Sequence, residues 1–486
     1  MKIITRIFFL LCCFSILLQP LQAQKKRATG LRFDDAEYNA VQRKSDFKGH
    51  LFATMPFSAS LKQYCPNIGN QGEIGSCVGW ASTYAATTIL NAIKYNWTDK
   101  QTITNHALSA LFVYNQIKIG TCDDGSRIPD AADFLKQNGS CLNNSFTSSD
   151  CYVLPPDNLF AEAGQYKIKD YAILFTTDET NPNERIYKIK QSIADKKPVI
   201  IGMTVSDDFM NIPQGTDTWN YNPDNFIYAG GHAMCIIGFD DSRGAFEVMN
   251  SWDTNWANNG FVWIKYNDLA TLTKYAFQFY LFDKNEDNDI ANLAGEFNFR
   301  YVVPGNGIVF ENATVTHKGN GYYETDRKDW QLGQLFQLVA KNKRNNEYVY
   351  VFSVDADYNV NVHFPRKQEY SKTRFHGFNE APLVPENNVE IIIPTPDSGL
   401  SITTLGTDYL CVLFSTREIS DFGAMVQRIQ SEMEYGSSME EALQNNIGEK
   451  LVPSYNIQYQ SDKMGFTCNS NAGSIVPLVL RVDSGQ

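Results

Sequence analysis

One cysteine in this chain stands where it could act as a nucleophile. Cys77 follows the Gly-rich stretch Gln71-Gly72-Glu73-Ile74-Gly75-Ser76, and beyond it apolar residues recur at helical spacing: Val78, Ala81, Ala85, Ile89 and Ile93. Ser76 holds the N-cap position, which puts Cys77 in the first helical turn, where the helix dipole favours thiolate over thiol. Gln71, six residues earlier, can bring a side-chain amide donor near that sulfur. A nucleophile beside an amide donor is the chemistry of acyl transfer through an oxyanion. A lone cysteine is more often a small buried hydrophobe, so a second stretch has to decide.

That stretch is Gly230-Gly231-His232-Ala233-Met234-Cys235-Ile236-Ile237-Gly238-Phe239, followed by a turn at 240–244 and then Phe246-Glu247-Val248-Met249-Asn250-Ser251-Trp252. A hairpin centred near Ser242 pairs residues whose numbers sum to roughly 484, which brings Asn250 close to His232. Of the six histidines, only His50, His106 and His232 precede position 300; His50 lies in a polar leader and His106 at a helix start. Cys235, three residues after His232 on a strand, points to the opposite face, so the pair does not read as a metal site. No metal and no cofactor is expected.

Gln71 and Cys77 at this spacing, Gly-Gly-His232, and the run from Asn250-Ser251-Trp252 to Asn258-Asn259-Gly260-Phe261 resemble the papain-type cysteine peptidases, over roughly residues 55–285. The resemblance implies Cys77 as nucleophile, His232 as general base and acid, and Asn250 as the amide that orients the imidazole. It implies Gln71 as oxyanion donor and Trp252 as the indole shielding the His–Asn contact. Gly125, in a Cys-x-x-Gly loop similar to the family's, would expose backbone to an extended peptide. The family's usual tryptophan after the cysteine is Val78 here and its usual cysteine three residues before is Ile74, so that family disulfide cannot form; Trp80 can fill the space. The long Cys77–His232 separation implies insertions around 141–180 and 206–228. A leader of about thirty residues is too short for the family's helical inhibitory segment.

Around these residues the chain of 486 divides by composition. Residues 1–23 have a basic start (Lys2, Arg6), an apolar run from Ile7 to Leu18 and a small-residue end at Ala23, as in a secretory signal. Residues 24–54 are a polar leader or extended arm, 55–283 the peptidase-like unit, 284–293 a charged link, and 294–486 a strand-rich unit with C-terminal helices. The predicted class is α+β: a two-lobed papain-like fold, one lobe helical and one β-barrel-like, followed by a separate β-sandwich-like domain. From Leu335 to Ser415 that second domain resembles an accessory domain of secreted bacterial enzymes with no assigned chemistry. Asp355, Asp357 and Asn359 read as an Asx turn rather than a calcium loop, which would need a Gly and a closing Glu.

The formal net charge is −12, more negative by two once Lys2 and Arg6 leave with the signal, which excludes nucleic acid as a main partner. No stretch after the signal is long and apolar enough to span a membrane. The expected partner is a peptide or protein substrate, the expected location secreted or periplasmic, and the C-terminal domain is a candidate for binding a protein or surface. Beyond Cys12 and Cys13, eight cysteines remain, and in an oxidising compartment some should pair. With Cys77 kept reduced, Cys65, Cys122, Cys141 and Cys151 allow three connectivities. The family resemblance favours Cys122–Cys151, leaving Cys65–Cys141.

The leading reading is a secreted cysteine peptidase. The same site could pass its acyl group to an amine, as a transpeptidase does. A non-catalytic binding protein with a relic peptidase domain is the third, and it has no chemical reason to keep Gln71, Cys77, His232 and Asn250 together.

Overall fold

A helix buried over most of its length is what the first unit is built around. The computed structural model describes residues 27–46, 55–283, 290–303 and 309–485; the expected signal segment and most of the charged link lie outside them. The central helix runs over 77–95, α-helical at Cys77–Gly79 and Thr88–Tyr95 and wound as a π-helix at Trp80–Thr87. Val78, Ala81, Ala85 and Ile89 are buried as their spacing predicts, and so are Ser82, Thr83, Thr87 and Thr88. Of these four hydroxyls Thr83 Oγ1 has no partner among the described residues, while the others are satisfied inside the core. Ser82 Oγ donates to the Val78 carbonyl and Thr87 Oγ1 to the Ser82 carbonyl five residues back. Helices Ala110–Ile117 and Ile128–Gln137 pack beside it.

Facing these helices is one sheet of eight strands: β1 (Ser58–Ser60), β2 (Ile168–Ile173), β3 (Val199–Ser206), β4 (Thr218–Trp219), β5 (Tyr228–Asp240), β6 (Ala245–Met249), β7 (Phe261–Lys265) and β8 (Thr273–Leu281). The order is β2-β8-β3-β5-β6-β7-β4, with β1 also on β5. The sheet is open, not closed into the barrel-like lobe the sequence reading expected. The outer edge of β2 pairs with the leader instead, Lys44 N–H donating to the Ile173 carbonyl and Ile173 N–H to that of Gln42. The β5–β6 hairpin has the expected register at its site end, Cys235 opposite Met249 and Ile236 opposite Val248. Beyond Ile237 it shifts by one residue, to Gly238 opposite Glu247.

The C-terminal strands form two sheets that share one core. The first runs Glu390–Ile393, Leu335–Asn342, Ala291–Val303, Gly465–Ser470, Ile457–Tyr459; the second runs Val315–Gly319, Tyr322–Thr325, Ile475–Ser484, Gly406–Ser415, Glu347–Val354, Val360–Phe364. Phe297, Leu338 and Ala340 of one meet Val349, Val351, Val412 and Phe414 of the other, which makes a sandwich. Alternation sends Tyr348, Tyr350 and Phe352 to the opposite face, under helices Phe422–Glu434 and Met439–Ile447. The same cluster includes Ala172 and Tyr280 of the first sheet, so an apolar seam joins the two units. Tyr348 OH donates to Asp170 across it at 3.0 Å.

Two expectations fail here. The helices do not close this unit: three strands follow them, including Ile475–Ser484. Pro477 argues against a strand with neighbours on both sides, yet it is tolerated because pairing with Tyr322–Thr325 begins only at Val479. Of the proposed disulfides, Cys122–Cys151 is present, but Cys65 and Cys141 are free, buried thiols. Cys65 follows a short turn and contacts the Leu61 carbonyl, while the Cys141 backbone is tied to Ser109; each is held in its own neighbourhood.

Candidate active site

The start of the central helix meets the middle of β5, and this junction carries the chemistry. The Ala233 N–H donates to Cys77 Sγ at 3.4 Å, so the sulfur lies beside the residue that follows His232. His232 Nε2 is 2.8 Å from Asn250 Oδ1. The Ser251 N–H also donates to Asn250 Oδ1, at 2.8 Å, which fixes that atom as the oxygen of the amide. Nε2 of His232 must then carry the proton, and Nδ1 keeps a free lone pair. Nδ1 has no hydrogen-bond partner among the described residues and remains available to take a proton from the thiol. The Trp252 indole stacks on the imidazole, with ring centroids 4.2 Å apart and planes 20° from parallel.

Ser251 also sets Gln71. Its hydroxyl donates to Gln71 Oε1 at 2.7 Å, and the Ser251 carbonyl accepts from the Gln71 N–H at 2.9 Å. With Oε1 occupied, Nε2 is turned the other way, toward the carbonyls of Ile74, Ala28 and Thr29. One serine thus holds both amides in register. It sits inside the Asn-Ser-Trp run, but nothing in a sequence shows that its hydroxyl reaches across 180 positions to Gln71.

Gly125 lies on the other wall, at φ +76, in the loop closed by Cys122–Cys151. The Gly75 N–H donates to the Cys122 carbonyl at 2.8 Å, tying this loop to the one before Cys77. All six predicted residues therefore belong to one constellation. The leader enters it too: the Trp252 indole N–H donates to the Ala28 carbonyl at 2.9 Å, and Leu31 is 5% exposed beside Gly231.

The electrostatics differ from the sequence expectation. Burial pushes the Cys77 thiol up to about 12, against the backbone N–H groups of Ala233, Val78, Cys77 and Leu31 that favour thiolate. Burial likewise lowers His232 to about 4, with the Asn250 hydrogen bond opposing. Ser76 caps with no side-chain hydrogen bond. Desolvation outweighs the dipole because both groups are fully covered, so with the leader in place the pair is neutral thiol and neutral imidazole. The one close set of possible metal ligands among the described residues is Cys122, Asp150 and Cys151, whose sulfurs are already bonded to each other. The Asp355 carboxylate accepts from the N–H groups of Asp357 and Asn359, the turn expected there.

A family model described as papain family cysteine protease matches residues 56–278. That stretch is a papain-family cysteine protease domain. Curated relatives of the domain include an uncharacterized peptidase C1-like protein of Acanthamoeba polyphaga mimivirus, 29% identical over 211 residues, covering 41% of this chain and 65% of the relative. Peptidase 1 of Dermatophagoides pteronyssinus is 26% identical over 157 residues, covering 32% of this chain and 46% of its own. The chain spans less than two thirds of the length of either. Among solved structures, xylellain, a cysteine protease from Xylella fastidiosa, aligns with a TM-score of 0.44 at 21% identity, covering 54% of this chain and 99% of its own. The papain-family match ends before the sandwich.

Proposed function

We propose that the protein is an exported thiol protease that hydrolyses peptide bonds through Cys77 and His232. The observation that carries this reading is the Ser251-fixed Asn250 Oδ1 on His232 Nε2, which leaves Nδ1 as a free base on the residue next to Ala233, whose N–H meets the sulfur. His232 takes the thiol proton as Sγ attacks the peptide carbonyl carbon. The carbonyl oxygen gains the charge, and the Gln71 amide with the Cys77 backbone N–H stabilises it. The imidazolium then protonates the leaving amine, the C–N bond breaks, and a thioester remains. Water, deprotonated by the same imidazole, attacks the thioester, releases the acid and returns the proton to sulfur. Asn250 keeps the ring aligned throughout, and Trp252 keeps water off the His–Asn contact. Gly125 offers its backbone to the substrate chain. Export is supported by the apolar leader at 7–18 and by the Cys122–Cys151 bridge; no helix of the described residues is long and apolar enough to cross a membrane.

The test is labelling with an epoxide-type thiol-protease inhibitor, peptide mapping of the modified residue, and hydrolysis of a short fluorogenic peptide in parallel. Modification at Cys77 that abolishes hydrolysis is expected. Hydrolysis that survives complete Cys77 modification overturns the assignment, and product carrying an added amine would redirect it to acyl transfer.

A further inference from the structure

The groups that would hold a substrate are already in use. Gln71 Nε2 donates to the Ala28 and Thr29 carbonyls at 3.1 and 3.4 Å, and the Trp252 indole N–H to that of Ala28. The Gly231 carbonyl accepts from the Gly30 and Leu31 N–H groups at 3.2 and 3.0 Å. On the opposite wall the Ser126 N–H donates to the Gly30 carbonyl at 2.9 Å and the Arg32 N–H to that of Ser126 at 3.0 Å. The fit is close enough to require glycine. A Cβ on Gly30 would lie 2.1 Å from the Gly75 carbonyl oxygen, and one on Gly125 would lie 1.8 Å from that of Gly30. The Leu31 side chain is lodged against Gly202, next to Tyr275.

A polar segment this short needs an anchor, and the anchor lies beyond the protease domain. After Phe33 packs edge-on against Tyr275, helix Asp35–Ala40 stacks Tyr38 on the same ring at 4.1 Å. Residues 41–45 then pass between β2 and the C-terminal unit. On that side the Arg43 N–H donates to the Asn379 carbonyl at 2.7 Å, and the Ala381 N–H to that of Arg43 at 2.9 Å. Asn379 Nδ2 donates to the carbonyls of Ala40 and Val41, Ser45 Oγ to that of Ala381, and Gln42 Nε2 to Glu418. We propose that the C-terminal unit is a clasp that grips residues 40–45 and thereby keeps residues 28–32 in the groove, so that the chain with both in place is a closed protease. This rests on the reading of the groove as a substrate site.

The experiment uses the full chain. It measures the rate at which iodoacetamide modifies Cys77, by peptide mapping, and kcat/KM on a short peptide. Two changes act on the segment, Leu31→Arg and Gly30→Ala, and one acts on the clasp, Gln42→Ala with Asn379→Ala, none of them at the reacting groups. Loss of the three side-chain hydrogen bonds of the clasp is expected to speed labelling by about tenfold or more, and the segment changes by at least as much. Combining Leu31→Arg with the clasp pair should add little, because both release the same segment. Far-UV circular dichroism identifies any variant that fails to fold, and the remaining ones decide. Wild-type labelling as fast as that of every variant overturns the proposal. So does faster labelling in the segment variants with none in the clasp pair, since the anchor would then lie elsewhere. Faster labelling without hydrolysis leaves the clasp standing and refutes the protease reading instead.

Discussion

Ser251→Ala is the most informative single change, because it separates positioning from chemistry. The backbone N–H that fixes Asn250 survives the substitution; only the hydroxyl bonded to Gln71 Oε1 at 2.7 Å is lost. That oxygen belongs to a side chain 4% exposed, and a buried acceptor without a donor costs about 1–3 kcal/mol. Gln71 can relieve this by rotating its amide, which turns the NH2 group away from the oxyanion. A bias of that size leaves roughly 1–15% of molecules with the donor correctly placed. We therefore expect kcat to fall by roughly 5- to 100-fold, below the roughly 100- to 1,000-fold ceiling for losing an oxyanion donor outright. KM should hardly move, since the interaction matters only when the oxyanion forms. The assay is kcat and KM on a short fluorogenic peptide, with all variants made in one Leu31→Arg background so that the groove is equally open. Gln71→Ala supplies the cycle: once it is in place, adding Ser251→Ala should slow the enzyme no further. If the two losses multiply instead, Ser251 does not act through Gln71 and the argument is wrong.

Cys77→Ala should abolish hydrolysis while shifting the denaturant midpoint little, because one sulfur atom at a helix start fills little space; residual turnover above background would refute the nucleophile. Replacing Cys122 and Cys151 together by serine removes a cross-link over 29 residues and should cost about 3–4 kcal/mol in equilibrium unfolding. An unchanged urea midpoint would show that the loop is held without it. The pH dependence follows from the two buried reacting groups. His232, lowered from 6.5 to about 4, contributes stability that is fully present above 6.5 and lost as pH falls toward 4, on the order of 3 kcal/mol. Cys77, raised from 9 to about 12, contributes stability present below 9 and lost as pH rises toward 12. Stability of the closed chain should thus be flat between 6.5 and 9 as far as this pair is concerned. His232→Ala should remove the difference on the acid side; an identical acid limb in wild type and variant would refute it.

The site was legible because its residues sit on local signals. Glycines announced the loop before Cys77, helical spacing announced the buried face after it, and the turn near Ser242 gave the register at Cys235 and Met249. What stayed hidden depends on long-range backbone contact. The 27–46 segment has no apolar period, so its only sequence signature is polarity, yet carbonyl and amide groups thread it through the groove. The sense of the thiol's pKa could not be read either, since it follows from the complete burial of Cys77, which long-range packing decides. Cys65 and Cys141 were paired by default once their two neighbours were joined, and nothing in their spacing reports that they are apart in space.

The seam where Ala172 and Tyr280 join the cluster around Tyr348, Tyr350 and Phe352 bears on how such a chain can be cut or recombined. A fragment ending at Asp283 would present that apolar patch to water and leave Asp170, 5% exposed, without its Tyr348 partner. Such a surface invites self-association. The sandwich is thus no detachable cassette: a recombinant protease half would have to be resurfaced at Tyr280 and Ala172 before its monodispersity or its rate could be interpreted, and a swapped-in C-terminal partner would need to reproduce the ring pattern at 348, 350 and 352.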